Sequence, residues 1–377
     1  MSRSCCVLPL AVGVLYNTPM RNLEGNILIW LPNWIGDVVM ATPLLDALRC
    51  QKNTDARLTL IGRPGPVEVL SGDKWDGVII DQSTGRSKLL SALALRKSIA
   101  RGSFDLALLL PNSFRTAGIT TLAGVKRIVG YARDGRGWLL SDKLKPPTDG
   151  TGRFVPVSQI RYFNELGTLV GCPVDNVKMK LPLREEDDAR AIEMLESACW
   201  DPGRPLVMLN PGAAFGSSKL WPGEYFSALA DSLAQSHGTQ IIVNAAPGER
   251  SIAARVVSSM KTRPLLDFSQ IDNTIGLLKG LMKRTTLLVT NDTGARHIGA
   301  AMGCAIVTVF GATDPAWTTL DYPRERIVRT NVPCAPCQKK VCRMKGERKG
   351  ICMRSIEPSQ VIAKGRELLE QYGKVQI

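Results

Sequence analysis

Short β-branched or leucine-rich runs alternate along this chain with longer stretches in which apolar residues recur every three or four positions. The first pattern suits strands buried on both faces, the second amphipathic helices, and their alternation predicts βαβ units and parallel sheets. In the first half the strands fall at 26–31, 57–61 ("RLTLI"), 77–80 ("GVII") and 104–110 ("FDLALLL"), with short ones near 127–129 and 154–155. Helices fall at 38–50, 65–71, 87–101 and 157–170. Residues 172–188 ("CPVDNVKMKLPLREEDD") hold two prolines and a shift to charge, and read as the exit from a first domain. The second half repeats the grammar. Its strands fit 205–210 ("PLVMLN"), 240–244 ("QIIVN"), 264–266, 286–290 ("TLLVT") and 305–310 ("AIVTVF"), and its helices 186–199, 222–236, 248–260, 273–284, 294–302 and 357–372. The expected fold class is α/β, with two Rossmann-like domains over 26–185 and 186–355 and a final helical segment over 356–377. Open sheets of this kind bind ligands beyond the carboxyl ends of their strands, so two of them place a site in the cleft between.

A length of 377 residues with 44% hydrophobic and 22% charged residues suits two ordinary cores and leaves little room for disorder. The longest apolar stretch near the start, "CCVLPLAVGVLY" (5–16), is too short for a bilayer, which needs roughly 20 apolar residues. A signal peptide with Arg3 as its basic end lacks a small-x-small cleavage site in "NTPMRNLEGN". Residues 1–25 are therefore expected to be a poorly ordered leader, with Met20 a candidate initiator. The expected location is the cytoplasm, peripheral to a membrane. The net charge of +14 favours anionic partners. Without a run of Lys or Arg or an RNA-binding motif, no nucleic-acid partner is expected.

Four loops carry the candidate chemistry. In "NILIWLPNWIGDVVMATPLLDALR" (26–49) a strand meets a helix through one glycine, Gly36, followed by Asp37. The dinucleotide fingerprint G-x-G-x-x-G is missing, which argues against an oxidoreductase. Asp37 reads either as a helix N-cap or as a cleft-facing base. In "LNPGAAFGSSKLWP" (209–222) the P-loop ending is lacking, yet Gly212, Gly216, Ser217 and Ser218 let backbone N–H groups approach a phosphate and Lys219 adds charge. An ordinary strand–helix loop is the other reading. In "VTNDTGARHIGAA" (289–301) Asp292 or Thr293 can cap a helix whose first N–H groups, around Gly294, favour an anion, with His297 one turn in. "VFGATDPAWT" (309–318) ends a strand in a turn and reads mainly as structural.

Together these stretches, with "GYARDGRGWLL", resemble glycosyltransferase family 9, the ADP-heptose lipopolysaccharide heptosyltransferases, and most of all its heptosyltransferase II subgroup. The resemblance extends from about residue 26 to 370. It implies the GT-B fold, with the C-terminal helix packing back on the first domain. It also implies inverting transfer of heptose, the second one, from ADP-heptose to the lipopolysaccharide inner core, without a cofactor. Asp37 is then the expected general base. Lys219, Ser217, Ser218, Asp292, Thr293, Gly294 and His297 are expected around the diphosphate and sugar, a protonated His297 assisting departure. Glu249 of "AAPGER" is expected on the ribose. Arg63, Arg115, Arg133 and Arg136 are candidates, by position and charge, for the anionic lipid-linked acceptor. Arg296, where the family has smaller residues, brings a guanidinium near the site. Another nucleotide sugar or acceptor is the alternative activity, and a non-catalytic nucleotide-sugar binding protein the alternative of another class.

Near the end, Cys334-x2-Cys337-x4-Cys342-x9-Cys352 places four thiols within 19 residues. Tetrahedral zinc, a disulfide and a reduced structural knot are all open readings. The spacing is not that of a double CxxC, and the reduced knot is preferred.

Overall fold

The computed structural model describes residues 23–83 and 88–373. The leader up to residue 22 lies outside the described residues. The first described residue, Leu23, is buried and its N–H donates to the Gln51 carbonyl at 3.3 Å.

The first half runs β1 (Asn26–Trp30), α1 (Ile35–Met40), α2 (Thr42–Gln51), β2 (Arg57–Gly62), α3 (Pro64–Val69), β3 (Gly77–Ile80), α4 (Lys88–Arg101), β4 (Leu106–Leu109), α5 (Phe114–Leu122), β5 (Arg127–Tyr131), β6 (Asp142–Leu144) and α6 (Gln159–Leu169). The second runs α7 (Glu185–Ser197), β7 (Leu206–Asn210), α8 (Gly223–His237), β8 (Gln240–Val243), α9 (Arg250–Ser259), β9 (Leu266–Asp267), α10 (Ile275–Arg284), β10 (Leu287–Asn291), α11 (Gly294–Met302), β11 (Ala305–Phe310), β12 (Glu325–Arg329), α12 (Ile351–Arg354) and α13 (Pro358–Tyr372). The strands form two six-stranded sheets, ordered β3-β2-β1-β4-β5-β6 and β12-β11-β10-β7-β8-β9. Every pairing is parallel. Counted from its own first strand, each sheet has the order 3-2-1-4-5-6 of a dinucleotide-binding fold, with its switch point between the first and fourth strands. Alternation along β1 sends Ile27 and Ile29 into the core beneath α1, α2 and α6, and Leu28 and Trp30 into the core beneath α4 and α5.

Several elements depart from the pattern. The helix expected over 38–50 begins at Ile35 and breaks at Ala41, because Pro43 in the first turn of α2 has no N–H to continue the ladder. The strand expected at 154–155 is only a bridge between Thr148 and Phe154, and β6 supplies the sixth strand instead. Helix α5 was hidden by its threonines and glycine, residues of low helix propensity that packing of Ala117 and Ile119 overrides. The C-terminal helix does not return to the first sheet. Val361, Gly365 and Leu368 form one stripe on α13, which lies on α8 and on β10, β11 and β12. A Cβ on Gly365 would stand 3.4 Å from Leu287 and 3.6 Å from Leu233. It is α6 that reaches across: Ser158 before it donates to the Thr319 carbonyl at 2.8 Å, and Arg161 pairs with Asp321 at 3.0 Å.

We propose the division between the domains at 185/186, where α7 begins and packs on α10. Beside it lies a pin between the halves. The fully buried Lys279 of α10 donates to the carbonyls of Val69 (3.2 Å), Ser71 (2.9 Å) and Pro182 (2.7 Å). Burial lowers its pKa to about 8. Lys279→Met keeps the stem but strands three carbonyls, each costing about 1–3 kcal/mol if left dry. Chemical denaturation should show a loss of at least about 2 kcal/mol; a variant as stable as the parent would show that the pin carries no load.

Candidate active site

The two switch points face each other. Helix α1 follows β1 and α11 follows β10, and the N-terminal turns of the two helices touch. Glycines make the approach possible: a Cβ on Gly36 would lie 2.6 Å from Cδ2 of His297, and one on Gly294 would lie 3.4 Å from Ile35. Because α1 starts at Ile35, Asp37 occupies its first turn rather than its cap. The cap is Trp34, whose side chain makes no capping bond, so the reading of Asp37 as an N-cap fails.

Asp37 therefore faces the charged centre of the other half. Lys219 donates to the carboxylate of Asp292 at 2.5 Å and to its carbonyl at 2.9 Å. Thr313 donates to the same carboxylate at 2.9 Å, and Arg296 stands 3.6 Å from its other oxygen. Burial pushes the Asp292 pKa up, but Lys219 and Arg296 outweigh it and hold the carboxyl below its usual range. Asp37 has no such partner. Burial, then the charge of Asp292, raise its pKa to about 6, with Lys219 opposing. It is a carboxylate at neutral pH, and a stronger base than an ordinary one.

His297 is buried against Gly36. Burial and the neighbouring Arg296 depress its pKa to about 3, so the ring is neutral and its Nδ1 has no hydrogen-bond partner. A protonated His297 is thereby corrected. Arg296, fully buried beside Asp292, has its donors committed within the second half: it forks onto Glu325 of β12 at 2.6 and 2.9 Å and donates to the Thr318 carbonyl at 2.9 Å. Thr293 is the cap residue of α11, but neither it nor Asp292 caps with its side chain; its hydroxyl accepts from Asn210 at 3.2 Å. Glu249 lies over Gly212, where any Cβ would run into its carboxylate, and burial raises its pKa. Ser217 is exposed at the start of a 3₁₀ turn over 217–219. Ser218 is buried and tied elsewhere: its hydroxyl donates to the Lys339 carbonyl and its N–H to the Lys340 carbonyl at 3.1 Å. It fastens the loop after β7 to the cysteine segment rather than facing the cleft.

Arg63 is exposed just before α3. Arg115 pairs with Asp81 at 2.9 Å, and Arg133 lies over Phe154, 4.1 Å from its ring centre. Arg136 is fully buried, donating to the carbonyls of Pro111 and Tyr131 and to Asn112, so its donors are committed to backbone at the ends of β4 and β5. It is not available to an acceptor.

Pattern reading missed an asparagine network. Asn244 donates to Asn210 at 2.7 Å, Asn210 to Thr290 at 3.1 Å, and Asn291 to the Pro211 carbonyl at 2.8 Å. The signal was present, since the apolar runs "LVMLN", "IIVN" and "LLVTN" all end in asparagine. These amides fix the strand-end loops of the second sheet. The four late cysteines are free thiols around one cavity of about 140 Å³. Among the described residues no three side chains stand together as a metal site.

A family model described as glycosyltransferase family 9 (heptosyltransferase) matches residues 92–347. The chain belongs to glycosyltransferase family 9. The lipooligosaccharide heptosyltransferase 2 of Campylobacter jejuni subsp. jejuni serotype O:2 is 26% identical over 349 residues, 92% of this chain and 98% of that one. The lipopolysaccharide heptosyltransferase 2 of Escherichia coli K12 is 23% identical over 319 residues, 81% of this chain and 88% of that one. Two solved structures share the fold: a family 9 glycosyl transferase from Veillonella parvula (TM-score 0.77, 21% identity, 93% of this chain and 99% of that one) and the E. coli ADP-heptose lps heptosyltransferase II (0.70, 20%, 92% and 99%). The architecture is thus GT-B and the protein a glycosyltransferase. In this family-9 enzyme, the meeting of α1 and α11 sets the distance between the domains at the site.

That contact can be tested directly. Gly36→Ala forces a methyl into the buried His297 ring, and overpacking of this kind costs about 1–3 kcal/mol. Adding His297→Ala opens the space. Thermal unfolding of both singles and the double should show recovery in the double; strictly additive losses would show that the two residues do not press on each other.

Proposed function

We propose that this enzyme is an inverting heptosyltransferase that moves heptose from ADP-heptose to the inner core of lipopolysaccharide, adding the second heptose. The observation that carries the reading is Asp37: a carboxylate of raised pKa that faces the Lys219–Asp292 pair across the contact of the two domains. Relatives named heptosyltransferase 2 that match over nearly their whole length support the donor and acceptor classes.

Asp37 takes the proton from the acceptor hydroxyl as its oxygen attacks the anomeric carbon. The bond from that carbon to the diphosphate oxygen breaks on the opposite face, which inverts the centre. ADP leaves with an added negative charge, met by Lys219 and by the uncapped first N–H groups of α11 around Thr293 and Gly294. His297, neutral and buried, donates no proton to the leaving group; it keeps Asp37 in place through Gly36. Glu249 holds the ribose. On the first domain, Arg63, Arg115 and Arg133 meet the acidic acceptor, and Arg136 shapes the loops that present them. The acceptor is carried by a lipid, so the enzyme works in the cytoplasm, peripherally on the inner membrane. No helix of the described residues is long and apolar enough to cross a bilayer.

Asp37→Asn retains size but cannot accept the proton, so kcat at saturating substrates should fall about 10²–10⁴-fold with ADP affinity unchanged. In the parent, kcat/KM should rise with pH through about 6 and then level, as the free carboxyl ionises. The same shift has a stability sign. A carboxyl whose folded pKa lies above its unfolded one costs nothing below about 4, and destabilises increasingly as pH rises to about 6. Asp37→Asn should therefore melt no lower than the parent at pH 7. A variant within threefold of parental turnover would sink the proposed base.

Lys219→Ala should weaken ADP and ADP-heptose alike. A charged hydrogen bond is worth about 1.5–3 kcal/mol, so titration calorimetry should show a loss of tenfold or more in ADP affinity. Unchanged affinity would take Lys219 off the diphosphate. Titration of UDP- and GDP-sugars alongside separates this reading from another family-9 donor.

A further inference from the structure

Helix α4 has two apolar faces, and only one of them is covered. Leu95 and Ile99 enter the core beneath the first sheet. At 100° per residue, Leu89, Leu90, Leu93, Lys97 and Arg101 fall on the opposite side. Leu89 is 73% exposed, Leu90 69% and Leu93 51%. Beside them Arg96 donates to the carbonyl of Leu122 at 2.8 Å, and Leu122, at the end of α5, is itself 69% exposed. Leucines so exposed on two adjacent helices form an apolar surface that folding alone does not use.

The charge along α4 is one-sided. Between Asp81 and Asp134 the chain carries nine Lys and Arg, of which Arg115, Lys126, Arg127 and Arg133, off this helix, are paired with Asp81, Asp105, Asp142 and Asp134. On α4 no acid is present, and Arg96, Lys97 and Arg101 are all exposed along the length that follows the leucines. A helix lying with leucines down and cations around them is the composition that settles at the boundary of an anionic bilayer: the leucines enter the acyl edge and the cations meet phosphate head groups. A second copy docking the same face against this one would set these cations against one another, since neither α4 nor α5 carries an acid to oppose them.

We propose that the α4–α5 face is the membrane-docking surface of the enzyme, and that it lays the first domain on an anionic lipid bilayer. This rests on the reading that the acceptor is lipid-borne only for its purpose, not for its evidence. Both helices begin after strands β3 and β4, at the carboxyl edge that carries Arg63 and Arg115, so docking here holds the acceptor side of the cleft near the lipid surface.

The test uses the full-length protein with vesicles alone, free of donor and acceptor, so its outcome is independent of the sugar transferred. Vesicles of phosphatidylglycerol and phosphatidylethanolamine are compared by co-sedimentation with vesicles of phosphatidylcholine. The parent should bind the anionic vesicles at least tenfold more tightly, and raised salt should weaken that binding. Leu89→Ser, Leu90→Ser and Leu93→Ser together should reduce it tenfold or more. Arg96→Glu with Lys97→Glu should do the same, with melting temperature and ADP affinity unchanged in both sets. Turnover on a water-soluble, delipidated acceptor should also be unchanged. Anionic-vesicle binding unaffected by either set would overturn the proposal. So would a parental dimer, seen by sedimentation velocity, that the leucine substitutions convert to monomer, since the face would then be an interface between copies.

Discussion

Two helix N-termini that meet across the domains are the constraint on which the site depends. Helix α1 can come close to α11 because Gly36 and Gly294 present no side chain at the point of approach: the His297 ring packs on Gly36 and the Ile35 side chain on Gly294. Both N-termini carry unpaired backbone N–H groups and the positive end of a helix dipole, so their meeting gathers positive potential in one small volume. Asp37 and Asp292 both lie in that volume. Lys219, Thr313 and Arg296 hold Asp292 as a carboxylate, while Asp37 is left with burial and a like charge. The difference between the two acids is thus one of partners, and it separates a structural carboxylate from a basic one.

The rest of the architecture keeps that meeting in register. Lys279 ties α10 to the end of α3 and to the linker, and α6 reaches the turn after β11. Asn210, Asn244 and Asn291 lock the strand-end loops of the second sheet. The Lys219 loop is fastened from behind, where Ser218 bonds the carbonyls of Lys339 and Lys340. The cysteine segment thereby touches the Lys219 loop through its own backbone carbonyls.

The sequence by itself determined the fold class, because strands buried on both faces and helices with one apolar stripe have different periods that survive any context. It also determined where chemistry could occur. Strand-end loops in a parallel sheet must face the cleft, so Asp37, Lys219 and Asp292 could be singled out before their partners were known. The motifs around them were long enough to point to the family. Tertiary structure alone decided what each polar group does, because hydrogen-bond partners come from segments distant in sequence. Arg136 and Arg133 are three residues apart in one loop, yet one is swallowed by carbonyls and the other lies half-open over Phe154. Arg296 looked like an intruder in the site until β12, an edge strand of weak pattern, supplied Glu325. His297 is an ordinary histidine in sequence, and burial against Gly36 makes it neutral. The docking of α13 was decided by which sheet lay within reach of its Val361–Leu368 stripe, and a stripe does not name its partner. Periodicity is a local property and burial is a collective one; roles that depend on charge follow burial.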